Sequence, residues 1–444
     1  MGAVTTEQQK LVLNSFAMVL QNNLVTADAV TWDEYNGEMD DRNGLQVLEQ
    51  VTPRYNITRT EQGVKDLSAG TDGSVFGSEL FEVTGTFNAN MGWGDFVKIK
   101  SIGDARESKA LLGAATSMAQ KIDAYVMQKA VLASADWTGA AAGTGGAVAF
   151  WTDAVAGYTR LMENGVDEAD LSYILNYFDM QALGDQVVKL PAPTEFSTAT
   201  YRKGFSGEIN GIRTMFTNQL PSMTTGTRTG TGANIMEVDG ANQNVNYAAV
   251  AKAGTTNGLR LTQTLNITDA STTTATFKAG EVFTIAGVFA YDNRKQAAVS
   301  PARLQQFTVV ADAVAVGGAA AVTIFPAIIV PASGTGDNVN INTAHATVTA
   351  APADNADITF IGAASTALSP RVVIQKQAIV VNTVPLILPA SDTSMRRKLS
   401  KIPLTVRMWQ HSDFYTGEHG VRFDVAINAN IRDRTRIVRV NGAA

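Results

Sequence analysis

Apolar residues at helical spacing predict two helices in the first part of the chain. A short amphipathic helix is expected near the N-terminus, with Thr5 or Thr6 as its N-cap. The clearer helix covers residues 104–135, where one apolar stripe runs between charged positions. A helix of roughly 30 residues spans about 45 Å, so it can serve as the spine of a flat subunit. The apolar positions are Leu11, Val12, Phe16, Val19, Leu20 and Leu24 in the first helix, and Leu111, Ala115, Met118, Ile122, Tyr125 and Leu132 in the second.

The segment between these helices is predicted to contain an extended arm and a long β-hairpin. Residues 31–44 are polar and carry turn signals such as Asn36-Gly37, which is typical of a loosely attached arm. Strand-like runs at residues 46–59 and 80–88 flank a Gly- and Ser-rich tip at residues 67–77. A hairpin of this length has little core of its own. We therefore expect it to lie on a neighbouring element or subunit, with packing on its own domain as the alternative.

The rest of the chain alternates between helix and strand and then becomes all-β. Helical patterns at 152–164 and 179–188 flank an apolar strand at 171–175, which indicates an α/β core. After Pro221 the composition turns to Thr, Gly, Ala and Asn, which indicates a separate β unit. Helical periodicity is not expected to return, so this unit is predicted as an insertion into the core. The strands of this unit are predicted at 259–268, 282–289, 307–310 and 322–329. The closing strands of the core are predicted at 371–381, 404–410, 421–428 and 436–440. Apolar and other residues alternate along 421–428, which predicts a strand with one buried face.

Composition favours a subunit with extensive contacts. Charged residues make up 17% of the 444 residues, below the roughly 25% that is usual in soluble domains. Small polar side chains take their place, and these lose little rotamer entropy when a neighbour covers them. The chain has no cysteine, which excludes disulfides and thiolate metal sites. A formal net charge of -6 argues against a protein that grips nucleic acid by neutralising phosphates.

Targeting signals and nucleotide-binding motifs are lacking. No run approaches the roughly 18 apolar residues of a membrane helix, and residues 1–10 lack a signal pattern, so we expect no membrane partner and a cytoplasmic site of assembly. Glycine-rich tracts at 143–146 and 226–232 lack the strand, helix and Lys-Ser/Thr pair of a phosphate loop, and they are interpreted as flexible linkers. No Gly-x-Ser-x-Gly elbow is present.

Candidate metal ligands are few. The three histidines are His345, His411 and His419, and none has a second ligand at helical metal spacing. His411 and His419 flank the turn at 412–417, beside Asp413 and Glu418, and could hold a metal across a hairpin; solvated hairpin-tip residues are the favoured interpretation. The acidic stretch at 33–41 lacks the order of calcium-loop ligands and is interpreted as solvated or partner-facing. No metal, cofactor or catalytic residue is therefore predicted.

Two basic clusters could contact either phosphate or a neighbouring subunit. Inter-subunit salt bridges are favoured, because the chain is acidic overall and these residues flank or alternate along strands. The clusters are Arg396, Arg397, Lys398 and Lys401, and Arg432, Arg434, Arg436 and Arg439.

Three stretches carry a resemblance to a known family. The first is Thr86-Phe87-Asn88-Ala89-Asn90-Met91-Gly92, followed by the strand at 96–99 and by Asp104-Ala105-Arg106-Glu107. The second is residues 279–288 with 306–310 and 322–324, and the third is residues 340–343 before the strand at 371–381. They resemble the passage from hairpin to spine helix, the insertion barrel and the barrel exit of tailed-bacteriophage major capsid proteins. The closest likeness is to the short-tailed-phage coat proteins, which carry an inserted β-barrel domain on the Hong Kong-type capsid fold.

This resemblance implies an α+β fold built from an N-terminal arm, an extended hairpin (the E-loop), a peripheral domain with a spine helix, and an axial domain. An all-β barrel is expected as an insertion. The implied boundaries are 1–44 for the arm, 45–100 for the E-loop, 101–137 for the spine helix, 138–224 for the first axial part, 225–368 for the barrel, 369–400 for the axial return and 401–444 for the closing strands.

The implied function is that of a shell subunit and not of an enzyme. Such a subunit forms hexamers and pentamers, assembles as a procapsid around scaffolding protein in the host cytoplasm, and expands as DNA enters through a portal protein. It encloses DNA without sequence-specific binding, becomes part of the virion capsid, and has a decoration protein as a further candidate partner. The candidate inter-subunit contacts are Arg59, Glu61, Lys65, Asp66, Arg106, Glu107, Arg396, Arg397 and Lys398.

Two other classes of function stay open. A phage or bacterial surface fibre or adhesin would suit the Thr-, Gly- and Ala-rich β sequence. The absence of a fixed repeat and the helix at 104–135 weigh against it. A glycan hydrolase would need paired carboxylates, and no pair is evident in the sequence.

Overall fold

The computed structural model describes residues 6–34, 46–51, 54–55, 57, 77–92, 109–139, 151–188, 208–209, 211–227, 236–248, 257–259, 261–269, 275–334, 338–388, 393–412 and 419–441. These residues form a mixed α+β fold with two six-stranded sheets and a closed six-stranded barrel. The predicted fold class is therefore confirmed. Strands are numbered β1–β28 along the chain, and the helices are α1 Thr6–Asn23, α2 Thr26–Ala29, α3 Lys109–Ala133, α4 Trp151–Glu163, α5 Tyr177–Val188 and α6 Asn338–His345.

The first sheet, called sheet 1, carries both N-terminal helices. Its central strand β27 pairs with β24, β26 and β4, and β1 runs parallel to β24. Helices α1 and α3 pack in one hydrophobic core with this sheet, where Phe16 stacks on Phe423 with ring centroids 4.0 Å apart. The strands of sheet 1, in spatial order, are β1 Thr31–Glu34, β24 Ile379–Val384, β27 His419–Ile431, β26 Thr405–Ser412 and β25 Thr393–Lys398, with β4 Thr86–Gly92 also on β27.

The N-terminal segment is part of the core and not a loose arm over residues 6–34. Phe16 and Leu20 are fully buried, and Trp32 of β1 is 7% exposed. Asp123 of α3 holds the start of α2 by hydrogen bonds. Its carboxylate accepts from the Thr26 hydroxyl at 2.6 Å and from the Thr26 and Val25 amides, each at 3.0 Å. Burial raises the pKa of Asp123. The prediction of a loosely attached segment from residue 31 is therefore wrong for residues 31–34, and residues 35–44 lie outside the described part.

The predicted hairpin begins as an antiparallel pair rooted on sheet 1. Strand β2 (Gln46–Val51) pairs with β3 (Gly77–Glu82), and residues 58–76, which include most of the predicted tip, lie outside the described residues. The side-chain amide of Asn428 donates to the Glu82 carbonyl, and the Ile427 amide donates to the Gly85 carbonyl at 3.2 Å. Strand β27 therefore anchors the base of the hairpin through both side chain and backbone.

The second sheet, called sheet 2, is covered on both faces. Within β23, Val372 and Ile374 join the core that contains α3, whereas Val373 joins the core that contains α4. Coverage of both faces explains why every residue of β6, β23 and β28 is buried, including the polar residues Arg371 and Arg439. In spatial order the strands are β5 Asp136–Gly139, β28 Ile437–Asn441, β23 Arg371–Gln375, β6 Leu171–Leu175, β8 Ile212–Phe216 and β7 Glu208–Ile209.

The barrel closes because β21 pairs with both β15 and β10. Phenylalanine rings fill its interior: Phe283 lies 5.7 Å from Phe307 and 5.1 Å from Phe360 between ring centroids. Strands β9 (Met223–Thr224) and β22 (Ala367–Leu368) pair with each other where the chain enters and leaves this unit. In spatial order the barrel strands are β10 Met236–Val238, β13 Gln263–Asp269, β20 Ala319–Phe325, β18 Leu304–Val309, β15 Val282–Phe289 and β21 Asp357–Ile361.

Short strand pairs complete the barrel unit. They are β11 Asn246–Ala248 with β12 Asn257–Leu259, β14 Thr276–Phe277 with β19 Ala313–Val314, and β16 Tyr291–Asp292 with β17 Ala297–Ala298.

Two sequence predictions in the second half are wrong. The strand predicted at 371–381 is two strands, because the 3-10 turn Lys376–Ala378 separates β23 in sheet 2 from β24 in sheet 1. Helical structure does return, as α6, and residues 340–343 lie inside this helix and not at the barrel exit. Buried Asn342 holds α6 in place: its Oδ1 accepts from the Tyr247 amide at 2.9 Å, and its Nδ2 donates to the Ser333 carbonyl at 2.8 Å.

Candidate assembly surface

The sequence-predicted contact residues fall into two groups. Those of the hairpin and of the helix opening lie outside the described residues; they are Arg59, Glu61, Lys65, Asp66, Arg106 and Glu107. The other three, Arg396, Arg397 and Lys398, lie on β25.

Strand β25 presents positive charge at the edge of sheet 1. Its only strand partner in the described sheet is β26, and Arg396, Arg397 and Lys398 are all exposed. Lys398 forms an ion pair with Glu34, whose Oε1 also accepts from the Thr405 hydroxyl at 2.8 Å. Charged side chains on an edge strand discourage indiscriminate strand pairing and attract a surface of opposite charge. Arg396 and Arg397 are therefore exposed cations on the edge strand of the described sheet.

Strand β27, which is separated from the edge strand β25 by β26, holds a buried carboxylate. Asp424 is fully buried, and its oxygens accept from Arg407 Nη2 at 2.7 Å, Arg422 Nε at 2.5 Å and Trp409 Nε1 at 2.9 Å. The apolar face predicted from the alternation of residues 421–428 is confirmed, since Val421, Phe423, Val425 and Ile427 lie in the core. The burial of Asp424 on the opposite face was not predicted. A sequence signal for this site does exist: Arg407 and Trp409 alternate along one strand, and Arg422 and Asp424 alternate along the next. In the antiparallel register, Arg407 lies opposite Asp424 and Trp409 lies opposite Arg422.

The second basic cluster is mostly used within the chain. Arg439 is fully buried, lies over the Trp137 ring at 5.0 Å, and donates to the Met223 sulfur at 3.0 Å. Burial lowers the pKa of Arg439 to about 9. Arg436 donates to Gln375 Oε1 at 2.6 Å and to Asp433 at 3.1 Å. For Arg436 and Arg439, the prediction of inter-subunit salt bridges is therefore wrong, because the fold uses both side chains internally.

Hydrogen bonds clamp the barrel to sheet 2. The Gln306 side chain accepts from the Trp137 amide at 2.8 Å and donates to the Trp137 carbonyl at 3.0 Å, so it imitates a strand partner for β5. The Thr308 hydroxyl lies 2.9 Å from the Ser134 carbonyl. Buried Glu281 accepts from the Gly226 amide at 2.9 Å. Gly226 is thus a close-packed position and not a flexible linker, since an added Cβ would lie 1.9 Å from the Thr276 carbonyl oxygen.

Apolar side chains are exposed at several places in the described residues, and the most exposed neighbouring pairs with both side chains above 50% include two on α5 and the barrel. Tyr177 and Phe178, at the start of α5, are 54% and 70% exposed. Val314 and Val316, beside β19 on the barrel, are 60% and 80% exposed. Adjacent exposed apolar residues of this size are candidates for coverage by another protein surface.

The candidate metal ligands are not brought together in the described part of the chain. No group of three His, Asp or Glu side chains there could hold a metal ion. His411 and His419 lie on adjacent strands, where His419 pairs with Ser412 in register, and residues 413–418 lie outside the description. His345 is 4% exposed and stacks on Tyr247 at 3.5 Å. Among the described helices, none is both long and apolar enough to cross a membrane.

The described residues thus form an α+β core with a barrel hydrogen-bonded to sheet 2, a charged strand at the edge of sheet 1 and exposed apolar side chains. The model of the family "P22 coat protein - gene protein 5" matches residues 1–435. The chain therefore belongs to the P22 coat protein family, and its function is that of a bacteriophage major capsid protein. The fibre alternative is not favoured, and the family is one of structural proteins.

Solved structures give weaker likenesses. The capsid structure of the Cyanophage P-SCSP1u matches with 9% identity and a TM-score of 0.42, covering 94% of this chain and 87% of that chain. The asymmetric unit of the bacteriophage PhiM1 mature capsid matches with 10% identity and a TM-score of 0.41, covering 94% and 86%. The capsid structure of Staphylococcus phage Andhra matches with 8% identity and a TM-score of 0.34, covering 94% and 85%. No curated protein sequence matches the chain.

Proposed function

We propose that this major capsid protein forms hexamers and pentamers that build an icosahedral shell around the DNA genome. The observation that carries the proposal is the family match over residues 1–435. Assembly begins in the host cytoplasm as a procapsid around scaffolding protein, and the shell expands as DNA enters through a portal protein. A decoration protein is a further candidate partner. DNA is enclosed without sequence-specific binding, which suits a subunit with a net charge of -6.

The edge of β25 is a proposed lateral contact between subunits. Arg396 and Arg397 are exposed, whereas Arg407, the residue opposite Arg396, is neutralised by Asp424. Their charge is therefore available to an acidic surface on a neighbour. Contacts at exposed charges contribute modest energy singly, but a shell repeats each contact many times. Arg59, Glu61, Lys65, Asp66, Arg106 and Glu107 stay proposed contacts on the hairpin and helix opening.

Charge reversal at this edge tests the proposal. The double variant Arg396→Glu and Arg397→Glu should fold normally, because both side chains are exposed, but should give fewer closed shells when expressed with the phage scaffolding protein. Arg213→Glu is the matched control, since Arg213 lies on β8 of sheet 2, is 63% exposed and pairs with the exposed Asp28 of α2. Circular dichroism checks folding, and sedimentation with negative-stain imaging counts shells. If the double variant forms shells at the wild-type yield, the proposal that β25 contacts a neighbouring subunit is wrong.

A further inference from the structure

A cavity of about 120 Å³ lies where the barrel meets sheet 2. Its wall draws on three parts of the fold: Asp136 and Glu163 from the core, Arg303 and Phe325 from the barrel, and His345 from α6. A water molecule occupies roughly 30 Å³ in the liquid, so the space exceeds what a single water fills.

The core carboxylates on this wall already have donors. Asp136 accepts from Arg160 at 2.8 Å and from Asn164 at 2.6 Å. Glu163 accepts from Arg160 at 3.3 Å, and its Oε2 lies 3.2 Å from the Nε of Arg303. These pairs neutralise the acidic side of the wall.

Two nitrogens on the wall have neither a hydrogen bond nor an ion-pair partner within the described part of the chain. They are the buried Nη1 of Arg303 and Nε2 of His345, whereas Nε of Arg303 has only its ion pair with Glu163. His345 is 4% exposed, and its ring is held flat against Tyr247 with an interplanar angle of 7°. A neutral imidazole can carry its proton on Nε2. Buried donors without acceptors are rare and costly, so both nitrogens call for an acceptor that the chain does not supply.

The charge around the cavity favours an anion over water. Arg54 and Arg294 also line the wall. With Arg303 they give three lining cations opposite the three carboxylates of Asp136, Glu163 and Asp292. Arg160 does not line the cavity, but it pairs with Asp136 and Glu163 from behind the wall and brings the cations around these carboxylates to four. Oxyanions are the ligands that arginine and imidazole N–H groups bind best in partly desolvated sites.

We propose that this cavity binds one small oxyanion of the phosphate type, which accepts hydrogen bonds from Nη1 of Arg303 and Nε2 of His345. The bound ion links the barrel, α6 and the core at a single point. A ligand that binds only the folded chain raises its stability in a saturable way.

The test is titration of the purified full-length chain with inorganic phosphate, followed by calorimetry and by the melting temperature, against sodium chloride of equal ionic strength. We expect one saturable phosphate site, absent with chloride. Affinity should fall at least about tenfold in Arg303→Gln, because a hydrogen bond to a charged group contributes about 1.5–3 kcal/mol. Arg213→Gln, on an exposed cation far from the wall, should bind as the wild type does.

Two further arms keep the outcome decisive. His345→Phe retains an aromatic ring on Tyr247 but removes Nε2, so it should weaken phosphate binding even where Arg303→Gln fails to fold. A short single-stranded oligonucleotide, at the same phosphate concentration, should not displace inorganic phosphate. Absence of saturable binding, equal binding by wild type and His345→Phe, or displacement by the oligonucleotide would overturn the proposal.

Discussion

Replacement of Phe16 by alanine tests whether the N-terminal helix belongs to the core of the subunit. Phe16 is fully buried and stacks on Phe423 of β27 at 4.0 Å between ring centroids. Truncating a buried phenylalanine to alanine costs about 3–5 kcal/mol through lost burial and the cavity that remains. Alanine is the better helix former by a few tenths of a kcal/mol, so helix propensity cannot explain a loss. We therefore expect Phe16→Ala to lower the free energy of unfolding by about 4 kcal/mol.

The assay is urea unfolding of unassembled subunits, followed by tryptophan fluorescence. Met18→Ala is the matched control, because Met18 lies on the same helix and is 49% exposed. Its effect should stay within about 0.5 kcal/mol. The dependence on urea should not change, since both variants expose the same surface on unfolding. Equal stability of the two variants would refute the assignment of α1 to the core and favour a loosely attached helix.

Three other predictions follow, two from described contacts and one from the predicted hairpin. Asp179→Ala should cost about 3–5 kcal/mol in urea unfolding, because it removes the carboxylate that pairs with the buried cation of Arg371 at 2.7 Å. Asp28→Ala, in an exposed pair, should cost less than about 1 kcal/mol, and equal losses would contradict this. Burial lowers the pKa of His345 from 6.5 to about 3, so the folded chain keeps a neutral ring while the unfolded chain binds a proton. The wild type should therefore lose stability relative to His345→Phe as pH falls from 6.5 towards 3, and parallel stability curves would contradict it. Deletion of the predicted hairpin tip at 67–77 should leave a folded subunit that forms few shells. A normal yield of shells would contradict a role of the hairpin tip in assembly.

Periodic sequence signals predict the elements that are buried on a regular face. Strand β6 has the predicted bounds of 171–175, because five consecutive buried residues leave a continuous apolar run. The apolar stripe of α3 is also as predicted at Leu111, Ala115 and Ile122, all of which are buried. Composition and short strand patterns predict an inserted all-β unit. Only the resemblance to the capsid family predicts that this unit is a barrel.

Elements held by specific polar contacts were not predictable in this way. Helix α6 has little apolar periodicity, and it is fixed by the hydrogen bonds of buried Asn342. Asp123 reads as a polar position of α3, yet it accepts three hydrogen bonds from the segment at 25–26. The division of residues 371–384 between two sheets depends on a single 3-10 turn. None of these features has a repeating pattern, because each depends on partners distant in sequence.

The candidate contact residues were predictable only as charges. Arg396 and Arg439 look alike in sequence, since both lie in basic clusters among strand patterns. The fold exposes the first on an edge strand and buries the second against Trp137. Edge position and depth are properties of the assembled sheets, and a local pattern of charges does not specify them.

The central claim is that this chain assembles into a closed shell. The most direct measurement is sedimentation and negative-stain imaging of the chain expressed alone and together with neighbouring phage genes. The account predicts closed shells or ring-shaped capsomers in the soluble fraction. A clean monomer under both conditions would contradict it.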